Sequence, residues 1–168
     1  MHNLTLIGMP GSGKSTVGVL LAKTLGFQFI DTDLLIQQRE GALLQEILDR
    51  RGIASFLDAE EAAIRSREWD RAGIAPGGSA VCRAGAIGHL KQLGRVVYLH
   101  VPLPELERRI RNITTRGIAM EPGQTLADVS ASRGPLYREY ADLTVDVPEG
   151  NRLEETVAAV LQGLIGCA

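Results

Sequence analysis

The residues from Gly8 to Ser15 could hold a polyphosphate, because they fit the pattern G-x-x-x-x-G-K-[ST] at every fixed position. Glycines in such a loop let backbone N–H groups crowd around phosphate oxygens without clashes from Cβ atoms. The Lys14 ammonium can reach the outer phosphates, and the Ser15 hydroxyl can bind Mg²⁺. The predicted nucleotide contacts in this segment are Gly11, Ser12, Gly13, Lys14, Ser15 and Thr16. The open alternative is a glycine-rich turn that binds no ligand.

The elements that must position this loop alternate between strands and helices. An apolar run at residues 4–7 predicts a strand before the loop, and apolar residues at helical spacing predict a helix over 16–25 after it. Further strands are predicted over 27–31, 73–75, 96–99 and 143–147. Further helices are predicted over 34–51 with a break near Gly41, and over 55–71, 84–93, 104–113, 126–140 and 153–164. This alternation predicts an α/β fold, in which helices cover both faces of a parallel sheet.

Length and composition narrow the possible function classes. The 168 residues, 45% of them hydrophobic, predict one domain over residues 1–168 with a sizeable core. A net charge of −2 argues against a surface that binds nucleic acid. No apolar run is long enough to cross a bilayer, so we expect neither a membrane partner nor a signal peptide. The two cysteines, Cys82 and Cys167, lie far apart, which favours free thiols and a cytoplasmic location. We expect a monomer.

Acidic residues follow the second predicted strand. Asp31 and Asp33 are two positions apart, so an extended backbone would point both side chains the same way. Because ligands in such sheets bind beyond the carboxyl ends of the strands, this segment belongs to the site, as do residues 76–79 and the region after Val101. One aspartate could hold Mg²⁺ through water while the other meets a substrate hydroxyl. The alternative is that either aspartate only caps the following helix.

These segments together resemble the shikimate kinase family, within the nucleoside monophosphate kinase-like group of P-loop proteins. Its landmarks here are Gly8–Ser15, Asp31 to Asp33, Phe56 with Glu60, Gly77-Gly78, Arg109, Arg116, and the run from Arg133 to Tyr137 followed by Ala141-Asp142. The resemblance implies a P-loop three-layer sandwich with a five-stranded parallel sheet. It also implies ATP, Mg²⁺, phosphoryl transfer to a hydroxyl of a small cyclic acid, and a mobile lid over about 112–124.

The resemblance also implies roles for individual residues. Lys14, Asp33 and Arg116 would be catalytic: Lys14 would neutralise the phosphates, Asp33 would polarise the accepting hydroxyl, and Arg116 would reach in from the lid. Ser15 and Asp31 would hold the metal, and Arg109 would lie near the adenine. The acceptor would contact Asp33, Leu57, Glu60, Gly77, Gly78 and Arg133, with Arg133 clasping its carboxylate.

Three positions depart from the family pattern. Leu57 stands where the family has an arginine beside the acceptor carboxylate, Ser79 where it has a third glycine, and Gly117 where it has a proline in the lid. Because Leu57 leaves Glu60 without a cation, we favour an acceptor that brings its own ammonium, and homoserine is the simplest. The alternative is shikimate itself, with Arg65 or Arg39 supplying the charge. Gly117 predicts a looser lid, since it cannot fix φ as proline does.

A function of another class also stays open. The altered pocket could belong to a nucleotide-binding regulatory module that transfers no phosphate. Lys14, Ser15, Asp31, Asp33 and Arg133 argue against this, because a module that only binds nucleotide needs no more than the loop.

Overall fold

A sheet of five parallel strands organises the computed structural model, which describes residues 2–110 and 117–166. The strands are β1 (Asn3–Ile7), β2 (Gln28–Asp31), β3 (Ala72–Ala75), β4 (Arg95–His100) and β5 (Leu143–Asp146). Their order across the sheet is β2-β3-β1-β4-β5. Leu6 lies opposite Val97, and Ile30 lies opposite Ile74, which fixes the register of the central strands. The predicted parallel sheet is confirmed.

Helices connect the strands and flank the sheet. They are α1 (Lys14–Leu25), α2 (Thr32–Glu40), α3 (Leu44–Arg65), α4 (Ala84–Leu93), α5 (Leu103–Arg109), α6 (Leu126–Tyr140) and α7 (Leu153–Gly166), with a 3-10 turn at Ala80–Cys82. This is the α/β fold that the alternation of elements predicts. Over residues 2–110 and 117–166, none of the helices is both long and apolar enough to span a lipid bilayer.

Buried strands and close packing of α1 hold the phosphate-binding segment in place. All five residues of β1 are buried, as expected of a central parallel strand covered on both faces. A Cβ at Gly18 would lie 2.7 Å from the Phe29 ring, and one at Gly73 would lie 3.3 Å from the Ala22 Cβ. Small residues therefore let α1 lie directly against β2 and β3, so the loop at its start has a rigid support.

The helix predicted over 55–71 is shorter than expected, because α3 ends at Arg65. The buried Asn3 side chain fixes the following segment: its Nδ2 donates to the Trp69 carbonyl at 2.6 Å, and its Oδ1 accepts from the Ala72 N–H at 2.9 Å. These bonds hold the chain extended as it enters β3. The predicted break near Gly41 is confirmed, since Gly41 ends α2 with a φ of 65°.

A second, smaller group of buried residues lies beside the main core. It comprises Ile36, Leu44, Ile47, Phe56, Ala63 and Ala119, with Leu57 among the partly buried residues packed against it. These residues come from α2, α3 and the segment before α6. The second core therefore packs α2, α3 and the segment before α6 against one another.

Candidate active site

The loop between β1 and α1 has the geometry of a phosphate-binding cradle. Gly13 has a φ of 91°, a left-handed conformation that a side chain would strain, and α1 begins at the next residue. The N-terminus of α1 therefore points its free N–H groups into the cavity. The Ser12 hydroxyl is buried and has no hydrogen-bond partner among the described residues, so it can serve a phosphate oxygen.

Lys14 is the first residue of α1 and lies at the floor of the cavity. Its Nζ donates to the carbonyls of Gly8 at 2.9 Å and Met9 at 3.0 Å, which leaves one of its three protons for a phosphate oxygen. Burial lowers the pKa of Lys14 to about 8, against the opposing attraction of Asp33. The ammonium is thus held charged at neutral pH in a place where a polyanion would stabilise it.

Ser15 and Asp31 supply the oxygens that a magnesium ion would need. The Ser15 hydroxyl donates to Asp31 Oδ2 at 3.1 Å, while Asp31 Oδ1 accepts from the Asp33 N–H at 3.0 Å and so caps α2. Asp31 therefore caps α2, while its second oxygen faces Ser15, so its role at a metal stays a prediction. No cluster of three or more His, Cys, Asp or Glu side chains within the described residues could hold a metal by itself. Mg²⁺ commonly binds through few protein ligands plus phosphate and water, so this pair fits it.

Asp33 lines the same cavity from the first turn of α2. Burial raises the pKa of Asp33 to about 6, with a further rise from Asp31 and an opposing effect from Lys14. A carboxylate with a pKa close to neutrality is well matched to receive a proton from an alcohol.

The segment Gly77-Gly78 follows β3 and lies against the phosphate-binding loop. A Cβ at Gly78 would lie 2.9 Å from the Pro10 Cδ, so the two loops meet more closely than side chains would allow. The Tyr137 hydroxyl of α6 donates to the Gly78 carbonyl at 2.6 Å and fixes the segment from behind. Both glycines line the cavity.

Arg133 enters the cavity from α6, and only 7% of its surface is exposed. Its guanidinium donates to the carbonyl of Ala119, which also lines the cavity, so Arg133 connects α6 to the described part of the predicted lid. A guanidinium has five N–H donors, and those not used by Ala119 can form a forked pair with a carboxylate.

Arg109 lies at the other end of the cavity, where Glu105 fixes it through an ion pair of 2.6 Å. Near it the cavity is lined by residues that the sequence did not single out, namely Val147, Asn151, Leu153 and Thr156. They follow β5, so the rule that ligands bind beyond strand ends could have found them.

Most of the predicted residues surround one cavity of about 520 Å³, whereas Asp31, Leu57 and Glu60 are not among its lining residues. Lys14, Asp33, Gly77, Gly78, Arg109 and Arg133 all line it, together with Gly11 to Thr16. Arg116 and part of the predicted lid, 112–116, lie outside the described residues, so the role of Arg116 stays a prediction. The remainder of the lid region contributes Gly117, Ile118 and Ala119 to the cavity wall.

Comparison with known proteins agrees with this geometry. The chain matches the shikimate kinase family over residues 10–164. The chain belongs to the shikimate kinase family. A shikimate kinase of Paracidovorax citrulli is 40% identical over 167 residues, which cover 95% of this chain and 88% of that protein. A shikimate kinase of Pseudomonas fluorescens is 42% identical over 152 residues, which cover 89% of this chain and 88% of that protein.

Solved structures of family members superpose closely on this one. A shikimate kinase from Acinetobacter baumannii in complex with shikimate has a TM-score of 0.89 and 33% identity, covering 99% of this chain and 94% of that one. A shikimate kinase from Aquifex aeolicus has a TM-score of 0.81 and 29% identity, covering 98% and 96%. Membership in this family makes the chain a phosphotransferase that acts on an alcohol group, so the alternative of a module without catalysis is not supported.

The predicted preference for homoserine is not supported either, since the curated relatives are shikimate kinases. The physical argument for it assumed a charged Glu60 without a partner. Instead, Glu60 is 1% exposed, its Oε2 accepts from the Ser79 hydroxyl at 2.6 Å, and burial raises its pKa to about 7. The nearby carboxylate of Asp58 pairs with Arg83 at 2.8 Å. Leu57 does not line the cavity but packs against the second core.

The structure also explains why position 117 is a glycine and not the proline of the family pattern. Its φ of 65° is inaccessible to proline, and a Cβ there would lie 2.4 Å from the Leu44 Cβ. Its N–H donates to Gln45 Oε1 at 3.2 Å. Glycine therefore lets this end of the predicted lid lie directly against the start of α3, whereas the looser lid remains a prediction.

Proposed function

We propose that this protein transfers the γ-phosphate of ATP to a hydroxyl of shikimate, with Mg²⁺ as cofactor. The observation that carries the proposal is the convergence of a phosphate-binding lysine, a carboxylate of raised pKa and a buried arginine on one cavity. The similarity to an Acinetobacter baumannii shikimate kinase in complex with shikimate supports the choice of acceptor.

Each residue has one task in this reaction. Arg133 clasps the acceptor carboxylate, and the Gly77 and Gly78 backbone holds the acceptor against Asp33. Asp33 orients the accepting hydroxyl and takes its proton as the new bond forms. Lys14 and, from the lid, Arg116 stabilise the negative charge that spreads over the transferred group.

The cofactors would occupy the other half of the cavity. The N–H groups of Gly11, Gly13 and their neighbours would hold the phosphates of ATP, with the base towards Arg109. Ser15 would bind Mg²⁺ directly, and Asp31 would hold it through water. The ion would supply positive charge that offsets the negative charge of the phosphates. A small-molecule acceptor, a monomer and a cytoplasmic location complete the proposal, with neither nucleic acid nor membrane as a partner.

The test is ADP release in a coupled assay with Mg-ATP and either shikimate or homoserine. Shikimate should stimulate ADP release, and homoserine should not. Arg133→Lys keeps the charge but loses the fork, so the KM for shikimate should rise roughly 10- to 100-fold while kcat changes less. Arg138→Lys, on the exposed side of the same helix, is the matched control and should behave like the wild type. ADP release that shikimate leaves unchanged would refute the proposal.

A further inference from the structure

Glu60 is a buried carboxyl group to which the proposed reaction gives no direct task. It lies on α3 with 1% of its surface exposed, and its Oε2 accepts a hydrogen bond from Ser79 Oγ at 2.6 Å. Its other oxygen, Oε1, is buried and has no hydrogen-bond partner among the described residues. A buried polar atom of this kind is costly and calls for an explanation.

The unpartnered oxygen lies directly behind the acceptor cavity. A Cβ at Gly77 would lie 2.5 Å from Glu60 Oε1 and 3.0 Å from Asp33 Oδ1. Glu60 and Asp33 therefore flank the same glycine, one from behind and one beside the acceptor. A charge on Glu60 would therefore act electrostatically on Asp33 and on a bound acceptor carboxylate, because only Gly77 lies between them.

The charged groups facing Glu60 come from three elements. Asp33 of α2 repels its charged form, and Lys14 of α1 and Arg133 of α6 attract it. Neither cation forms an ion pair with Glu60 within the described part of the chain: Lys14 donates to Gly8 and Met9, and Arg133 to Ala119. The other acids nearby on α3 point away, because Asp58 pairs with Arg83 and Glu61 with Arg65.

Burial without an ion-pair partner favours the uncharged acid. The pKa of Glu60 rises to about 7, mainly through burial and further through Asp33, while the Ser79 hydroxyl and the two cations oppose the rise. The burial of the carboxyl group and the rise in its pKa thus both favour the protonated form, which predominates below about pH 7.

We propose that Glu60 and Ser79 form a positioning pair for the acceptor, in which protonated Glu60 supports Gly77 without adding a negative charge beside Asp33. The acceptor identity in this inference rests on the proposed function. With Glu60 uncharged, Arg133 alone suffices for the acceptor carboxylate. When Glu60 ionises, its charge repels both that carboxylate and Asp33, so acceptor binding weakens.

The test compares the wild type with Glu60→Gln, which is permanently uncharged and of the same shape. The KM for shikimate is measured with Mg-ATP between pH 6 and pH 9. Above pH 7 the wild-type KM should rise by up to about tenfold per pH unit more than that of the variant, because the protonated fraction of Glu60, which favours acceptor binding, falls at that rate. The readout is the dependence of KM on pH, because Glu60→Gln removes the ionisation of this side chain and keeps its shape.

Two further variants separate this role from a purely structural one. Ser79→Ala removes a hydrogen bond that stabilises the charged form, so the rise in KM should move to higher pH. Glu61→Gln changes the neighbouring acid, which pairs with Arg65, and should keep the wild-type profile. Loss of turnover by Glu60→Gln at every pH, or a KM profile identical to the wild type, would overturn the proposal.

A direct titration keeps the proposal testable if shikimate is not the acceptor. Absence of wild-type turnover at every pH would refute the proposed function but not the state of Glu60. The carboxyl ¹³C signal of Glu60, identified by its loss in Glu60→Gln and its shift in Ser79→Ala, should then titrate within about one unit of pH 7. A midpoint below pH 5 would overturn the inference in either case.

Discussion

Gly77→Ala is the sharpest single test of how the acceptor side of the cavity is built. The added methyl group would lie 2.5 Å from Glu60 Oε1 and 3.0 Å from Asp33 Oδ1. The φ of Gly77 lies outside the left-handed region, so the change introduces no backbone strain and tests space alone. Because Glu60 is buried, it cannot swing into solvent, and either Asp33 or the glycine segment must move.

The close contacts at Gly77 indicate how large the effects on stability and on rate should be. Overpacking of a well-packed site costs typically about 1–3 kcal/mol, which lowers the Tm of a chain of this size by roughly 2–12 °C. A displacement of about 1 Å between a catalytic group and its substrate can cost on the order of 100-fold in rate. We therefore expect kcat/KM for shikimate to fall about 10- to 100-fold.

The assay measures kcat/KM by coupled ADP release and Tm by calorimetry, with Gly88→Ala as the matched control. Gly88 lies inside α4, and a Cβ there would meet no atom within 4 Å. Alanine should stabilise that helix by about 0.5–1 kcal/mol and leave activity unchanged. Wild-type kcat/KM in Gly77→Ala would refute the crowded arrangement of Glu60, Gly77 and Asp33 on which the description of the acceptor site depends.

Three further changes test other parts of the site. Asp33→Asn should lower kcat by about 100-fold or more without lowering the Tm, because the amide cannot accept the hydroxyl proton, and near-normal kcat would contradict that role. Tyr137→Phe should cost about 0.5–1.5 kcal/mol by calorimetry, because it removes the hydrogen bond to the half-buried Gly78 carbonyl. Glu60→Gln should be more stable than the wild type by roughly 2–3 kcal/mol at pH 8 and less so at pH 5. Between pH 4.5 and about 7 the folded chain retains the Glu60 proton, whereas the unfolded chain releases it. The free energy of unfolding of the wild type therefore falls as the pH rises through this window. An equal difference at both pH values would contradict the raised pKa.

The elements that carry the chemistry could be predicted because topology alone brings them together. In a parallel sheet all carboxyl ends meet at one edge, so Asp31, Asp33 and Gly77 had to lie near the phosphate-binding loop once their strands were recognised. The same rule, applied to β5, would have found Asn151 and Thr156. The Glu105–Arg109 pair has helical spacing of four residues and could also have been inferred.

Contacts between distant side chains could not be predicted in this way. The segment after α3 is fixed by two hydrogen bonds of the Asn3 side chain, which lies more than sixty residues away in the sequence. Ser79 and Glu60 are 19 residues apart, and nothing in their spacing indicates that one would hold the other. Such pairings follow from how helices pack on the sheet, which local patterns do not specify.

The error about homoserine has a physical cause that concerns charge rather than shape. Leu57 stands where the family has an arginine near Glu60. The sequence argument therefore favoured an acceptor that supplies this positive charge itself. A buried carboxylate has a second way to avoid an unpaired charge, which is to keep its proton. Burial depth decides between the two, and a sequence does not give it. At 1% exposure burial favours the protonated form of Glu60, and the Ser79 hydroxyl donates to one of its oxygens. An acceptor without an ammonium group is then compatible with Leu57, because neutral Glu60 has no charge that such a group would need to balance.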